Sequence, residues 1–109
     1  MTKLRSREQP LQPIASIDRT VHSPARLMIL GLLSVVQSAD FGFILHQTGL
    51  TRGNLSSHLA KLGDAGYVII TKEFVDRIPR TLIRLSDRGR AAVRAYRENM
   101  QRVLRELGE

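Results

Sequence analysis

Ile44-Leu45-His46-Gln47-Thr48-Gly49-Leu50-Thr51-Arg52-Gly53-Asn54-Leu55-Ser56-Ser57-His58-Leu59 is the stretch on which the fold turns. Two apolar positions precede Gly49 by about one helical turn, and Leu50 and Leu55 follow it. A helix-turn-helix needs this layout, because a short turn must hold two helices at a steep angle while apolar side chains clamp that angle. Gly49-Leu50-Thr51 reads as the turn, and Thr51 as the cap of a helix running to about Ala65. Leu55, Leu59 and Leu62 fall at i, i+4 and i+7 and form one buried stripe. The opposite face stays polar: Arg52, Asn54, Ser57, His58 and Lys61, with Gly53 leaving room for close approach. Such groups meet phosphates and base edges in the major groove of double-stranded DNA. Thr51 and Ser56 complete the predicted contact set. Short side chains at the helix start also let its amides approach phosphate oxygens.

The surrounding segments extend the pattern. Ser23-Pro24 is a helix start, with leucines and Ile29 recurring at helical spacing over about residues 24–37. A polar break at 37–40 precedes a short helix at 41–48 whose apolar face is Phe41, Ile44 and Leu45. Gly66 stands where a left-handed cap ends the third helix. Residues 67–74 and 80–85 are β-branched and alternating, separated by turn chemistry at 76–79, and read as a hairpin. Ser86 then caps a last helix over about 87–107. The fold class is α+β, mainly α, with the strands confined to that hairpin. Tyr67 and Phe74 are expected in the core. Arg26 is expected to pair with Asp18 or Asp40, and Arg84 to face either the sheet or phosphates.

Composition narrows the function. The 109 residues carry 17 Lys plus Arg against 10 Asp plus Glu, a net charge of +7 that favours a polyanionic partner. Residues 51–84 carry +3 of this, and the flanking segments 1–50 and 85–109 carry +2 each, so the excess peaks over the helix-turn-helix and hairpin. No apolar run approaches the ~20 residues of a membrane span. The absence of a secretory h-region and of cysteine predicts a cytoplasmic protein without disulfides. No phosphate-binding Gly loop, nucleophile elbow or HExxH motif occurs, and His22, His46 and His58 lack ligand partners at useful spacing. The reading is therefore no enzyme, no cofactor and no metal.

At Val21–Leu30, Thr48–Thr51, Asn54–Leu62, Ala65–Val68 and Thr81–Gly89 the sequence resembles winged-helix transcriptional regulators of the MarR and ArsR type, most closely the small stand-alone group. The resemblance spans about residues 20–90. It implies a winged helix-turn-helix with three helices, a two-stranded wing and a long C-terminal helix. It also implies sequence-specific binding of a palindromic operator by a dimer, usually to repress. The third helix would read the major groove through Arg52, Asn54, Ser57, His58 and Lys61, and the wing would touch DNA through Lys72, Arg77 and Arg80. Metal-sensing relatives carry Cys on the third helix or His and carboxylate ligands on the last. This chain has no Cys and no His after residue 58, so any effector is unassigned. An apolar pocket near Phe41, Phe43, Tyr96 and Met100 is one candidate place for a small molecule.

The last helix supplies the partner surface. Gly89, Val93, Tyr96, Met100, Val103 and Leu107 form a heptad seam, beside which Leu104 is also apolar. The part beyond Met100 exceeds what one small domain can cover, which predicts a homodimer through Val93, Tyr96, Met100, Val103, Leu104 and Leu107. The organisation is then an N-terminal arm (1–16) with Lys3, Arg5 and Arg7, a DNA-binding domain (17–86) and a dimerisation helix (87–109). Two alternatives compete with the regulator: a winged helix that docks protein, and an architectural DNA binder indifferent to sequence.

Overall fold

The computed structural model describes residues 15–108. Lys3, Arg5 and Arg7 of the expected arm lie outside them. Among the described residues, four helices and three strands follow from Pro24 onward in the order α1 (Pro24–Ser34), β1 (Ala39–Asp40), α2 (Phe41–Thr48), α3 (Arg52–Asp64), β2 (Val68–Val75), β3 (Ile78–Leu85) and α4 (Asp87–Gly108).

Each boundary has a local cause. Ser23 caps α1 by accepting from the Arg26 amide at 3.3 Å, with Pro24 at the first helical position. The helix ends three residues short of the expected 37. Ser34 Oγ donates back to the Leu30 carbonyl at 2.7 Å, and the Val35 amide turns to Leu32 at 3.3 Å in a tightened last turn. Asp40 caps α2, accepting from the Phe43 amide at 2.7 Å. At the end of α3, Gly66 adopts φ +79° while its amide reaches the Gly63 carbonyl and the Tyr67 amide reaches that of Leu62. That pair of bonds is the Schellman arrangement, which glycine admits without a Cβ penalty.

The sheet corrects the expectation of strands confined to one hairpin. Its order is β1-β3-β2, all antiparallel, with Ala39 opposite Ile83 and Asp40 opposite Leu82. Two residues are too few for any alternation to show, and Gln37 to Asp40 reads as a polar break. Ala39 is nevertheless buried against the core. The wing is also longer than expected, pairing Val68 with Leu85 through Val75 with Ile78. Asp76 (φ +52°) and Arg77 (φ +67°) alone make the turn, both left-handed as a two-residue type I′ hairpin demands. Pro79 therefore lies inside β3. Beyond the short reach of β1 that strand has a free side, so the missing N–H costs no ladder bond there.

The core gathers Val21, Ile29, Leu30, Leu33, Ile44, Leu55, Leu62 and Ile83, each under 2% exposed. It takes one stripe from each of α1, α2 and α3 and one face of the sheet. Around this small core the molecule measures 66 × 25 × 21 Å, with a radius of gyration of 17.2 Å. A compact chain of this size would have about 13 Å. The wing and the far end of α4, a helix of about 33 Å, project from the body.

Candidate nucleic-acid interface

The helix-turn-helix is built as its residues dictate. Gly49 takes φ +71° and closes α2 through its amide to the Leu45 carbonyl at 3.0 Å. Thr48 Oγ1 donates to the Ile44 carbonyl at 2.8 Å and accepts from the Leu50 amide at 3.4 Å, bracing the turn from inside. Thr51 Oγ1 accepts from the Asn54 amide at 3.1 Å and starts α3. No acidic residue stands in the first turn of α3, so the positive end of its dipole is uncompensated and suits a phosphate.

Along α3, Leu55, Leu59 and Leu62 face the core, and Thr51, Arg52, Gly53, Asn54, Ser57 and Lys61 are exposed. Ser56 is exposed too, because its helical position falls outside the leucine stripe. Arg52 lies over the Phe41 ring at 5.9 Å, which ties it to the α2 side of the interface.

His58 differs from its neighbours. It is half-buried on the flank towards α1, where Arg26 NH1 lies 3.1 Å from its Nδ1. An arginine can only donate, so Nδ1 accepts and the neutral imidazole carries its proton on Nε2. Burial, with the adjacent Arg26 and Lys61 charges, lowers its pKa from the usual 6.5. The unfolded chain therefore takes up this proton before the folded one. Stability holds above about 6.5 and declines as the pH falls below it. We expect the urea midpoint to drop between about pH 7 and pH 5, and His58→Gln to flatten that part of the profile. Equal declines in both proteins would show that other groups govern it.

Arg26 pairs with neither Asp18 nor Asp40, contrary to expectation. Asp18 Oδ1 instead accepts from the Thr20 amide at 2.9 Å and its Oδ2 from the Tyr67 hydroxyl, while Asp40 is spent as the α2 cap. The phenol held to that carboxylate has its pKa raised, first by the hydrogen bond and then by burial.

The pleat of the wing divides its cations. Ile70 touches α3 beside Gly63, so the face of β2 that carries Ile70, Lys72 and Phe74 is the α3 side. Arg80 and Arg84, opposite Glu73 and Ile69, lie on the other face, with Arg77 in the turn at the tip. Lys72 thus shares a side with α3, whereas Arg80 and Arg84 do not, and Arg77 stands apart at the tip. Phe74 is 74% exposed, a correction to its expected core place. It sits so far out along the wing that the core no longer reaches it. Tyr67 is half-buried and packs against the core as expected.

None of the cavities lined by the described residues brings together Phe41, Phe43, Tyr96 and Met100. Phe41 lies under Arg52, Tyr96 hydrogen-bonds His22 Nδ1 at 2.8 Å, and Phe43 is 44% exposed. A different cavity, of about 160 Å³, lies where α1, β3 and α4 meet, lined by Ser34, Leu85, Val93 and the arginines 90, 94 and 97. Along α4, Gly89 and Val103 are buried, Val93, Tyr96 and Met100 half-buried, and Leu104 and Leu107 exposed.

Known proteins share this architecture. A family model described as a winged helix DNA-binding domain matches residues 25–104. An uncharacterized protein of Methanocaldococcus jannaschii is 33% identical over 75 residues, covering 69% of this chain and 82% of the relative. The solved structure of a transcriptional regulator homologue from Pyrococcus horikoshii superposes with a TM-score of 0.80 at 30% identity, over 92% of this chain and 97% of that one. The ytfH protein of Salmonella typhimurium superposes at 0.60 with 18% identity, over 83% of this chain and 86% of its own, and speaks for the fold alone.

Proposed function

We propose that this chain, which belongs to the winged helix DNA-binding domain family and is a DNA-binding regulator of transcription, acts as a homodimeric repressor of a palindromic operator in the manner of the MarR and ArsR regulators. The observation that carries the reading is the exposed, acid-free start of α3 with Thr51, Arg52, Gly53, Asn54 and Ser57 all outside the core. In this reading Asn54 and Ser57 meet base edges. Arg52, Lys61, Lys72 and Arg77 hold phosphates, with Ser56 at the margin. His58 has Nδ1 committed to Arg26 and contributes through Nε2. Arg80, on the outer face of the wing, reaches only a strand that wraps around it. The polar, basic α3 face disfavours the protein-docking alternative. The protein works in the cytoplasm, without cofactor, metal or catalysis, and any effector it answers to is unassigned.

Selection from a random duplex pool at about physiological salt tests this. An enriched inverted repeat with half-site centres about 10 base pairs apart is expected. Binding without enrichment would indicate the architectural alternative, since phosphate contacts carry no sequence information. On the selected site, Asn54→Ala should relax discrimination at one or two base pairs by about 1–3 kcal/mol. Arg52→Ala should weaken all sequences alike. Uniform losses for both would refute the division between base and phosphate contacts.

A further inference from the structure

The turn that leads into α1 is bound into a rigid piece that the helix-turn-helix does not use. Asp18 holds it, accepting from the Thr20 and Val21 amides and from the Tyr67 hydroxyl, and Val21 is wholly buried. The turn offers its carbonyls to Arg26: Nε donates to Thr20 O at 2.5 Å and NH2 to Arg19 O at 3.4 Å. NH1 donates to His58. Three neutral acceptors therefore fix the orientation of a half-buried guanidinium, and none of its hydrogen bonds among the described residues goes to a carboxylate. A cation drawn partly out of water ordinarily takes a carboxylate partner, yet Asp18 and Asp40 are both engaged elsewhere.

Beside this group lies a hollow of about 450 Å³, lined by Arg19, Thr20, Arg26, Lys61, Asp64 and Ala65. Three cations face one carboxylate across it. Lys61 belongs at once to this lining and to the exposed face of α3, so the hollow borders the recognition surface on the flank opposite Arg52 and Phe41.

Resting on the DNA-binding reading, we propose that this hollow seats one phosphate of the DNA backbone. Arg19 and Lys61 close on its oxygens, and Arg26 is the fixed charge between them. Arg19 and Lys61 are exposed side chains that reach the anion from the rim, which suits a phosphate presented by a duplex lying across α3. Asp64 lines the same hollow, and the three cations outweigh its charge. The seat anchors α3 at its C-terminal half, while the acid-free N-terminus holds the other end. Arg26 joins it to His58, so the phosphate contact and the orientation of the recognition helix are mechanically linked.

The test is the salt dependence of binding to a labelled duplex of random sequence, read by anisotropy between about 50 and 200 mM salt. Each phosphate neutralised contributes about 0.9 to the slope of log K on log salt. Arg19→Ala and Lys61→Ala should each reduce the slope, and the double variant should reduce it by about one in total, because both act on the same phosphate. Arg105→Ala, at the far end of α4, should leave it unchanged. A loss of about two in the double variant would mean two separate phosphates, and an unchanged slope in Arg19→Ala would mean no contact; either overturns the seat. Thermal unfolding with inorganic phosphate is the second arm. Stabilisation of the wild type but not of Arg19→Ala, with DNA slopes unchanged, would assign the hollow to a free anion and overturn the proposal. A wild type that binds no duplex at all would remove the DNA-binding reading itself, an outcome distinct from wild-type binding with indifferent variants.

Discussion

Gly89→Ala should destabilise the protein by more than about 3 kcal/mol, although alanine is the better helix former by about 1 kcal/mol. The reason is backbone, not side chain. A Cβ at position 89 would lie 2.0 Å from the Tyr67 carbonyl oxygen, 2.9 Å from its carbon and 3.1 Å from Leu85 Cδ2. Neither the first turn of α4 nor the start of β2 can swing aside as a long side chain would. Ser86 Oγ caps α4 through the Gly89 amide at 2.9 Å and donates to the Gly66 carbonyl at 2.5 Å, while its own amide bonds Tyr67 O at 3.0 Å. Moving α4 outward to admit a methyl group breaks this junction, which fixes the wing, the end of α3 and the last helix against one another. Gly31→Ala is the matched control. Its Cβ meets nothing within 4 Å on α1, so helix propensity alone should act and stability should rise by up to about 1 kcal/mol. Urea unfolding of the two variants reads both signs. If Gly89→Ala were as stable as wild type, α4 would not pack on β2 as described.

The same residue shows what the sequence could and could not disclose. Gly89 was recognisable as one position of a heptad seam, which says that it faces something apolar. That it faces a carbonyl oxygen depends on where the chain has been 22 residues earlier, and no local pattern records that. The helix-turn-helix was legible because its determinants are local: Gly49 and Gly66 in left-handed caps, Thr51 and Ser86 as N-caps, three leucines on one stripe. The face of α3 followed from the same periodicity. Strand β1 was invisible, since its two residues become a strand only by meeting β3. The role of Arg26 was misjudged for a similar reason. Charge alone suggested a carboxylate partner, but the Asp18 carboxylate is captured by the amides of its own turn and by Tyr67, 49 residues away. Lys72 and Arg80 looked equivalent as wing cations, and only the register that sets Lys72 opposite Thr81 and Arg80 opposite Glu73 separates their faces. Phe74 was misplaced because a residue with strand-core character needs a core within reach, and the wing carries it past the end of this one.

Joint substitution of Leu104→Glu and Leu107→Glu should leave each protomer folded and lower affinity for the selected operator by about 10²–10⁴-fold, the factor lost when two linked binding events become independent. Leu104 and Leu107 are 58% and 71% exposed, so within one chain a polar replacement removes little packing. Their place one to two turns beyond Met100, on a side of α4 that its own chain leaves open although neighbouring Val103 is buried, is what makes them costly to leave in water. The radius of gyration, 17.2 Å against about 13 Å for a compact chain, has the same origin. Two copies joined along α4 would bury the stripe from both sides. In such a pair the four introduced carboxylates would crowd the two-fold axis and repel, so dimer loss should precede any loss of the fold. Added negative charge also weakens attraction to DNA in general, and a duplex carrying a single half-site separates the two effects. If pairing is the function of the stripe, sedimentation should show a monomer, and half-site affinity should change far less than operator affinity. A variant that sediments as a dimer, or that loses half-site and operator binding in equal measure, would show that α4 does not join the protomers. The two recognition helices would then need another element to hold them about 34 Å apart across one turn of DNA.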